Sequence, residues 1–353
     1  MKMILNKLPS ITWSWLQMNE AKLKTQPELL RESEAKLEIP EGLKYEKAQE
    51  FLSHALNGGA GEEFDAFLEN AAFPVHRFVL EGRQSPKEAL RIEIAYEEEE
   101  CSAKRIEILV KESANLKVIM HYSNAGSRGF GAVQTKIRLE KNAKLHLIQV
   151  QKTREDFVFI NDIAGVDRED SFFELTKIVL GAKESYEGFL INLEGDRSAF
   201  HTDVAYLVEK DYSLDMNYVV KHFAPDTVSD IEVRGVLRDQ AYKLFRGTID
   251  ILRGAVHASG KENEEVLLID DEVVNKSIPV ILCGEEDVEG AHGATIGRLD
   301  EDLLFYMQTR GISEEEIYEI MAKARIREVS QKIEDKRMLE RILDYIGGEE
   351  DEA

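Results

Sequence analysis

The chain has 353 residues and a mass of 40.2 kDa, with 45 basic against 68 acidic side chains and a net charge of −23. That balance argues against a general nucleic-acid binder, which needs a basic face to displace counterions, and against an anionic membrane surface as partner. Hydrophobic residues make up 43%, enough for a folded core, and a chain this long buries such a core without disulfide staples.

The two cysteines, Cys101 and Cys283, are too few for a disulfide framework or a four-thiolate zinc site. Their rarity suits a reducing compartment. The segment Met1 to Leu8 carries two lysines and no long apolar run, so it does not read as a signal peptide. No stretch reaches the length of a membrane-spanning helix. The expectation is a cytoplasmic protein.

Residues 1–73 read as helical, with Ile11, Trp15 and Met18 spaced to share one helical face. Pro27 and Pro40 interrupt the pattern, and Asn57-Gly58-Gly59-Ala60-Gly61 reads as a turn. Residues 74–299 change to period two. Ile92, Ile94 and Tyr96 alternate, as do Ile106, Ile108 and Val110, and Leu116, Val118, Met120 and Tyr122. The pattern returns from Phe200 to Val208 and from Leu214 to Val220, without helical segments between. A small residue after a polar turn recurs at Ala114, Ala143, Ser171 and Ser198, at intervals of 29, 28 and 27. Ser213 and Ala241 give a second series with an interval of 28. A drifting repeat built only of strands points to the coils of a β-solenoid. An antiparallel sandwich of evenly spaced hairpins is the competing arrangement.

Residues 300–353 read as helical again. Leu303, Leu304 and Met307 share a face, and Arg310-Gly311 ends that helix. Ser313 with Glu316 forms a capping box that opens the next one, with Ile317, Ile320, Met321 and Ala324 as its stripe. A last helix is expected to carry Ile326, Val329 and Ile333, then Leu339, Ile342, Leu343 and Ile346.

Chemistry-bearing motifs are sparse. The run Gly126-Ser127-Arg128-Gly129-Phe130-Gly131 lacks the Lys-Ser/Thr ending of a phosphate-binding loop. No G-x-S-x-G or H-E-x-x-H occurs. His121 and His146 fall on the polar side of their strands, which reads as surface. His292 differs, because Gly290-Ala291-His292-Gly293-Ala294-Thr295-Ile296-Gly297 surrounds it with small residues that permit close approach of another backbone. Cys283 precedes it by nine residues. Thiolate and imidazole both bind iron or zinc, but two ligands do not complete a site. A tight turn with an incidental histidine and a buried free cysteine explains the same residues. Glu97 to Glu100 and Glu285-Glu286-Asp287 read as solvated turns.

Taken together, Phe245-Arg246-Gly247, Gly254-Ala255, the segment from Ala291 to Gly297, Leu303-Leu304-Phe305-Tyr306 and Arg310-Gly311-Ile312 resemble the SufB/SufD core. Thr12-Trp13-Ser14-Trp15-Leu16 resembles the opening of SufD-type chains. The resemblance implies a right-handed parallel β-helix with helical N- and C-terminal segments. It implies a non-catalytic scaffold subunit of the SUF system, which assembles iron–sulfur clusters. Partners would be a SufC-type ABC ATPase and either a SufB-type paralogue or a second copy of the chain. Residues 300–353, with Leu304, Phe305, Tyr306, Arg310, Gly311 and Ile312, would dock the ATPase, whose ATP-driven motion would reach the paired scaffold. His292 would be a ligand for a transient cluster shared with the partner, and no tightly bound cofactor is expected. Two departures favour SufD over SufB: Gly293 follows the histidine, and no cysteine stands near Asn263. A Cys-Ser pair common before this histidine in SufD chains is replaced by Gly290-Ala291. A β-helix enzyme acting on polysaccharides is the rival from another class.

Overall fold

The computed structural model describes residues 3–10, 14–24, 27, 29–52, 56–154 and 156–347. Sixteen strands dominate it. They are β1 Val75–Leu80, β2 Leu90–Tyr96, β3 Glu100–Val110, β4 Asn115–Asn124, β5 Arg128–Leu139, β6 Lys144–Lys152, β7 Asp156–Asp167 and β8 Phe172–Leu180. Then follow β9 Glu184–Leu193, β10 Ala199–Val208, β11 Ser213–His222, β12 Val228–Leu237, β13 Tyr242–Ile251, β14 Ser259–Leu268, β15 Val274–Cys283 and β16 Glu289–Gly297. Odd strands form one parallel sheet and even strands another. Each pair of strands is therefore one coil of a parallel β-solenoid. The coil length runs from 26 residues, Val158 to Glu184, to 32, Tyr242 to Val274.

The repeat of small residues marks one corner of this coil. Ala114, Ala143, Ser171 and Ser198 are all buried, and each follows a residue with positive φ: Ser113, Asn142, Asp170 and Arg197. The backbone N–H of each of those four donates to a carbonyl of the next coil, at Lys141, Glu169, Asp196 and Pro225. A left-handed residue turns the chain, and a small one fits beneath the turn. The second series is offset. Ser213 stands opposite Tyr242 rather than Ala241, so the true step there is one residue longer than the interval between those two small residues.

Alternate residues fill the lumen. Leu116, Val118, Met120 and Tyr122 of β4 face it, as do Phe173, Leu175 and Val179 of β8. Rings stack along the lumen from Phe173 through Phe200, Phe189 and Tyr218 to Phe245, with centroids 4.9–5.9 Å apart. Such pairs each add roughly 0.5–1.5 kcal/mol beyond simple burial.

The expectation of a helical N-terminal region needs correction. Among the described residues it holds one α-helix, α1, Glu62–Asn70, preceded mostly by short strands. Residues 4–5 and 21–22 pair with each other. Residues 43–48 run antiparallel to β1, and residues 36–38 antiparallel to β2. Trp15 sits exposed on a single 3-10 turn, while Met18 is buried against Leu244 and Ile278. Ile11, Thr12 and Trp13 lie outside the described residues. The apolar residues here serve as a lid on the solenoid: Met3, Leu5, Leu23, Phe64 and Leu68 pack on Ala103, Phe130, Ala132 and Ile160 of the odd sheet.

Three helices follow β16: α2 Glu301–Thr309, α3 Glu314–Ser330 and α4 Lys336–Gly347. The stripe Tyr318, Ala322, Ile326 and Val329 of α3 lies on Ile148, Ile178, Ala205, Leu207 and Val236 of the even sheet. Helices α3 and α4 therefore run back along the solenoid, tied down by Arg238 to Glu319, Lys332 to Asp203 and Arg91 to Asp335. Ile326 and Val329 belong to α3 rather than to the last helix. The break between the two comes at residues 331–335, and the Asp335 carboxylate accepts from the N–H of Met338 at 2.7 Å to start α4.

Candidate functional site at the open end of the solenoid

The two ends of the solenoid differ. The N-terminal end is closed by antiparallel strands. At the other end β15 and β16 pair only inward, with β13 and β14, among the described residues. Eight of the nine residues of β16 are exposed, His292 among them. A strand edge in this state presents unused N–H and C=O groups to a partner. The small residues around His292 suit that role, since a Cβ added at Gly297 would meet nothing within 4 Å.

Behind β16 lies a polar mouth to the lumen. Lys243 of β13 is fully buried and pairs with Glu264 of β14. Its ammonium also donates to Ser277 Oγ at 3.1 Å and to the Lys276 carbonyl at 3.3 Å. The Ser277 hydroxyl donates to the other oxygen of Glu264. Burial pushes the Lys243 ammonium below the ordinary lysine range, opposed by the Glu264 charge. Glu262 stands next to this pair, and burial together with the Glu264 charge pushes its carboxyl up to about 8. Gly247 leaves room for this carboxyl, since a Cβ at that position would come within 2.0 Å of Glu262 Oε2 and the side chain would have to move. The sequence reading missed this cluster. Its signal was the appearance of Lys243, Glu262 and Glu264 at inward positions of the alternation, which only the coil register makes visible.

Cys283 ends β15 as an exposed thiol, not a buried one, and donates to the Glu285 carbonyl at 3.0 Å. Among the described residues no group of three His, Cys, Asp or Glu side chains is placed to hold a metal ion. His121 is not a surface residue, since α4 covers it and the Arg341 guanidinium donates to its Nδ1 at 3.2 Å.

Helix α2 stands off the solenoid. None of its residues is buried, and Leu303, Phe305 and Tyr306 are exposed. Asp300 caps it by accepting from the N–H groups of Asp302 and Leu303. Arg310 stacks over the Tyr306 ring at 5.1 Å and donates to its hydroxyl. Gly311, with φ +86, turns the chain into α3, where Ser313 and Glu316 form the expected capping box. Between the turn and α3 runs a groove of about 630 Å³ whose lining includes Gly311, Ile312, Glu316, Ile320 and Lys323. The helix-ending residues Leu304, Phe305, Tyr306, Arg310, Gly311 and Ile312 thus share one projecting element. That element is separate from His292 on the strand edge.

No helix is long and apolar enough to cross a membrane among the described residues. Comparison with known proteins agrees with the architecture. The family described as "SUF system FeS cluster assembly, SufBD core domain" matches residues 93–325. The chain is 23% identical to the iron–sulfur cluster assembly protein SufD of Escherichia coli over 294 residues, which is 81% of this chain and 69% of that protein. It is 26% identical to SufD of Bacillus subtilis over 158 residues, covering 45% of this chain but only 36% of that one. A SufBD family protein of Pyrococcus horikoshii is 26% identical over 254 residues, 71% of this chain and 53% of the relative. With its solenoid core, its open terminal strand and a family match over about two thirds of its length, the chain belongs to the SufBD core family of the SUF iron–sulfur cluster assembly system.

Proposed function

We propose that this chain is a non-catalytic, SufD-type scaffold subunit that pairs through the open end of its solenoid with a SufB-type paralogue. In this reading α2 docks a SufC-type ABC ATPase, and ATP-driven motion of that partner is carried through α3 and α4 to the paired end. His292 supplies an imidazole to a nascent iron–sulfur cluster shared across the pair. The observation that carries the reading is the placement of His292 among small residues on an exposed edge strand that is paired on one side only among the described residues. A ligand there faces a partner, and among the described residues no group of three His, Cys, Asp or Glu side chains surrounds it.

The same edge supports self-pairing as a second reading. A two-fold axis beside β16 would bring two copies of His292 together. Family membership leaves the polysaccharide-acting enzyme without support.

The test is co-purification of the tagged chain with the ATPase and SufB-type protein of its own source, followed by cluster reconstitution. His292→Ala is expected to leave both partners bound and to lower cluster yield at least tenfold. Unchanged yield would remove the ligand role. Absence of either partner would remove the scaffold reading.

A further inference from the structure

The C-terminal helices are fastened unequally. Helix α3 buries six of its residues, whereas α4 buries Met338 and Ile342 among its described residues. Around those two, polar contacts tie α4 and the turn of residues 331–335 to the even sheet. Asp335 pairs with Arg91, Glu334 with Lys117 and Lys332 with Asp203. Arg337 and Arg341 approach Glu93 at 3.8 and 3.9 Å. A short terminal element held in this way is the first to open in a folded chain.

Three histidines of the sheet stand in this seam. His121 of β4 accepts from the Arg341 guanidinium at 3.2 Å, with Glu93 beside it in register on β2. A guanidinium only donates, so this Nδ1 belongs to a neutral ring. His201 of β10 lies 2.7 Å from Asp203 and 3.4 Å from Asp230 of β12, with Glu174 of β8 in register on its other side. Lys332 reaches the same Asp203 oxygen from the turn. His146 of β6 shares a 3.0 Å hydrogen bond with Thr176 and lies 3.9 Å from Glu174. Lys117, Glu334 and Asp203 also act on it.

A proton on any of the three works against the docked helix. On His121 it faces Arg341 and breaks the bond. On His201 it competes with Lys332 for one carboxylate. Asp203 holds that imidazole above the ordinary histidine range, against burial, while Lys332 pulls it down. Asp203 and Asp230 belong to the sheet and remain if the turn lifts, whereas Lys332 leaves. Burial pushes His146 below the ordinary range, and lifting the cover relieves it. The bare sheet therefore binds these protons more tightly than the covered sheet, so docking weakens as pH falls through the histidine range. Nearby carboxylates titrate lower. Against burial, His201 and Lys332 hold Asp203 below the ordinary range and Arg91 does the same for Asp335, while Lys117 lowers Glu334.

We propose that α4 and the turn of residues 331–335 form an acid-released strap, latched on the even sheet at His121, His146 and the Asp203 that His201 and Lys332 share. Above neutral pH the strap is down. In mild acid it lifts from the sheet while α3 stays in place. The device lies within this chain and needs no partner, so it stands or falls separately from the scaffold reading.

Hydrogen exchange of the full chain, read by mass spectrometry and corrected for the intrinsic pH dependence of amide exchange, tests the strap. Between about pH 8 and about pH 5.5, protection of the α4 amides should fall by roughly tenfold or more, and that of the α3 amides by less than about twofold. The combined variant His121→Gln, His146→Gln and His201→Gln should keep the α4 protection of the higher pH across the range. Equal falls in α4 and α3, no fall in α4, or a full fall in the combined variant overturns the proposal. If the combined variant fails to fold or leaves α4 open throughout, Lys332→Gln with Arg341→Gln decides. Both side chains are partly exposed, and their loss removes the cations that oppose the protons. This second variant is expected to keep α4 protected at the higher pH and to lose about half or more of the pH-dependent fall; any other result overturns the strap.

Discussion

Single residues carry the least expected chemistry of this fold. Lys177 and Glu187 are both buried in the lumen and pair with each other, with Asn161 donating to Glu187 at 3.0 Å. Lys177→Ala would leave that carboxylate without its counter-charge, a change that typically costs about 3–5 kcal/mol. Replacing both, as Lys177→Met with Glu187→Leu, should recover most of the loss in urea denaturation; equal damage in single and double variants would show that the pair is not the cause. Asp162 offers a pH signature. It lies buried beneath the loop of Gly58 to Ala60, accepting from Ala60 N–H at 2.8 Å and from Gln134 at 2.9 Å, with Asp65 close by. Burial, and then the Asp65 charge, push its carboxyl up to about 7 from an ordinary value of 3.8. Between those values the folded chain holds a proton that the unfolded chain has released. Stability therefore falls as pH rises through this window and levels off above it. Asp162→Asn removes that slope, so its stability relative to the parent should be higher at pH 8 than at pH 5, by up to a few kcal/mol. Parallel stability–pH curves would refute the assignment. None of this was legible residue by residue. Lys177 sits in the run Leu175-Thr176-Lys177-Ile178, where a lysine reads as solvent-facing until the register places it beside Phe173 and Val179. His121 was misread for the same reason, because α4 covers it from more than two hundred residues away in sequence.

Elements were easier to read where local periodicity and burial coincide. The strands from β2 to β14 bury one face in the lumen, so their alternation is clear, and the corner residues Ala114, Ala143, Ser171 and Ser198 repeat because each coil needs the same turn. The N-terminal strands carry no such signal. They are two to six residues long and are placed by pairing with the solenoid or with each other, and of the expected face of Ile11, Trp15 and Met18 the described residues show Trp15 exposed on a 3-10 turn and Met18 buried beyond it. Helix α3 opens on its capping box as the sequence suggests, but it buries Tyr318, Ala322, Ile326 and Val329 with Ile317 while the expected Ile320 and Ala324 are exposed; its contribution can be measured. Ile326 is buried against the even sheet, and Ile326→Ala should cost about 2–5 kcal/mol, visible as a lower melting temperature. Helix α2 should show the opposite. Phe305→Ala with Tyr306→Ala removes exposed rings that touch no core, so stability should stay within about 0.5 kcal/mol. Association with the ATPase should drop at least ~30-fold, as for the loss of aromatic anchors worth about 2 kcal/mol or more. Retained ATPase binding would move the dock elsewhere. These point substitutions are better probes than truncation before α2, which would also strip α3 and α4 from the sheet and uncover Ile148, Ile178 and Val236.

At the scale of the whole molecule the two ends of the solenoid are chemically unequal. Antiparallel strands 36–38 and 43–48 cover one end, and β15 with β16 leaves the other bare. A ribbon bare at both ends could stack copy upon copy into a fibre, because every addition would regenerate the edge just used. Here the edge at the N-terminal end, among the described residues, belongs to short strands 36–38 and 43–48 that run antiparallel to the coils, so it does not repeat the long edge of β15 and β16. The N-terminal strands thus act as a stopper that turns a potentially endless polymerisation into a single event. Sedimentation at rising protein concentration should show mass reaching a ceiling at two solenoids, whether the second is a copy or a paralogue. Ile296→Asp, which puts a charge on the bare strand, should hold the chain at one. Growth beyond two would mean that the stopper leaks, and that a strand edge so useful for joining a partner is also this protein's route to aggregation.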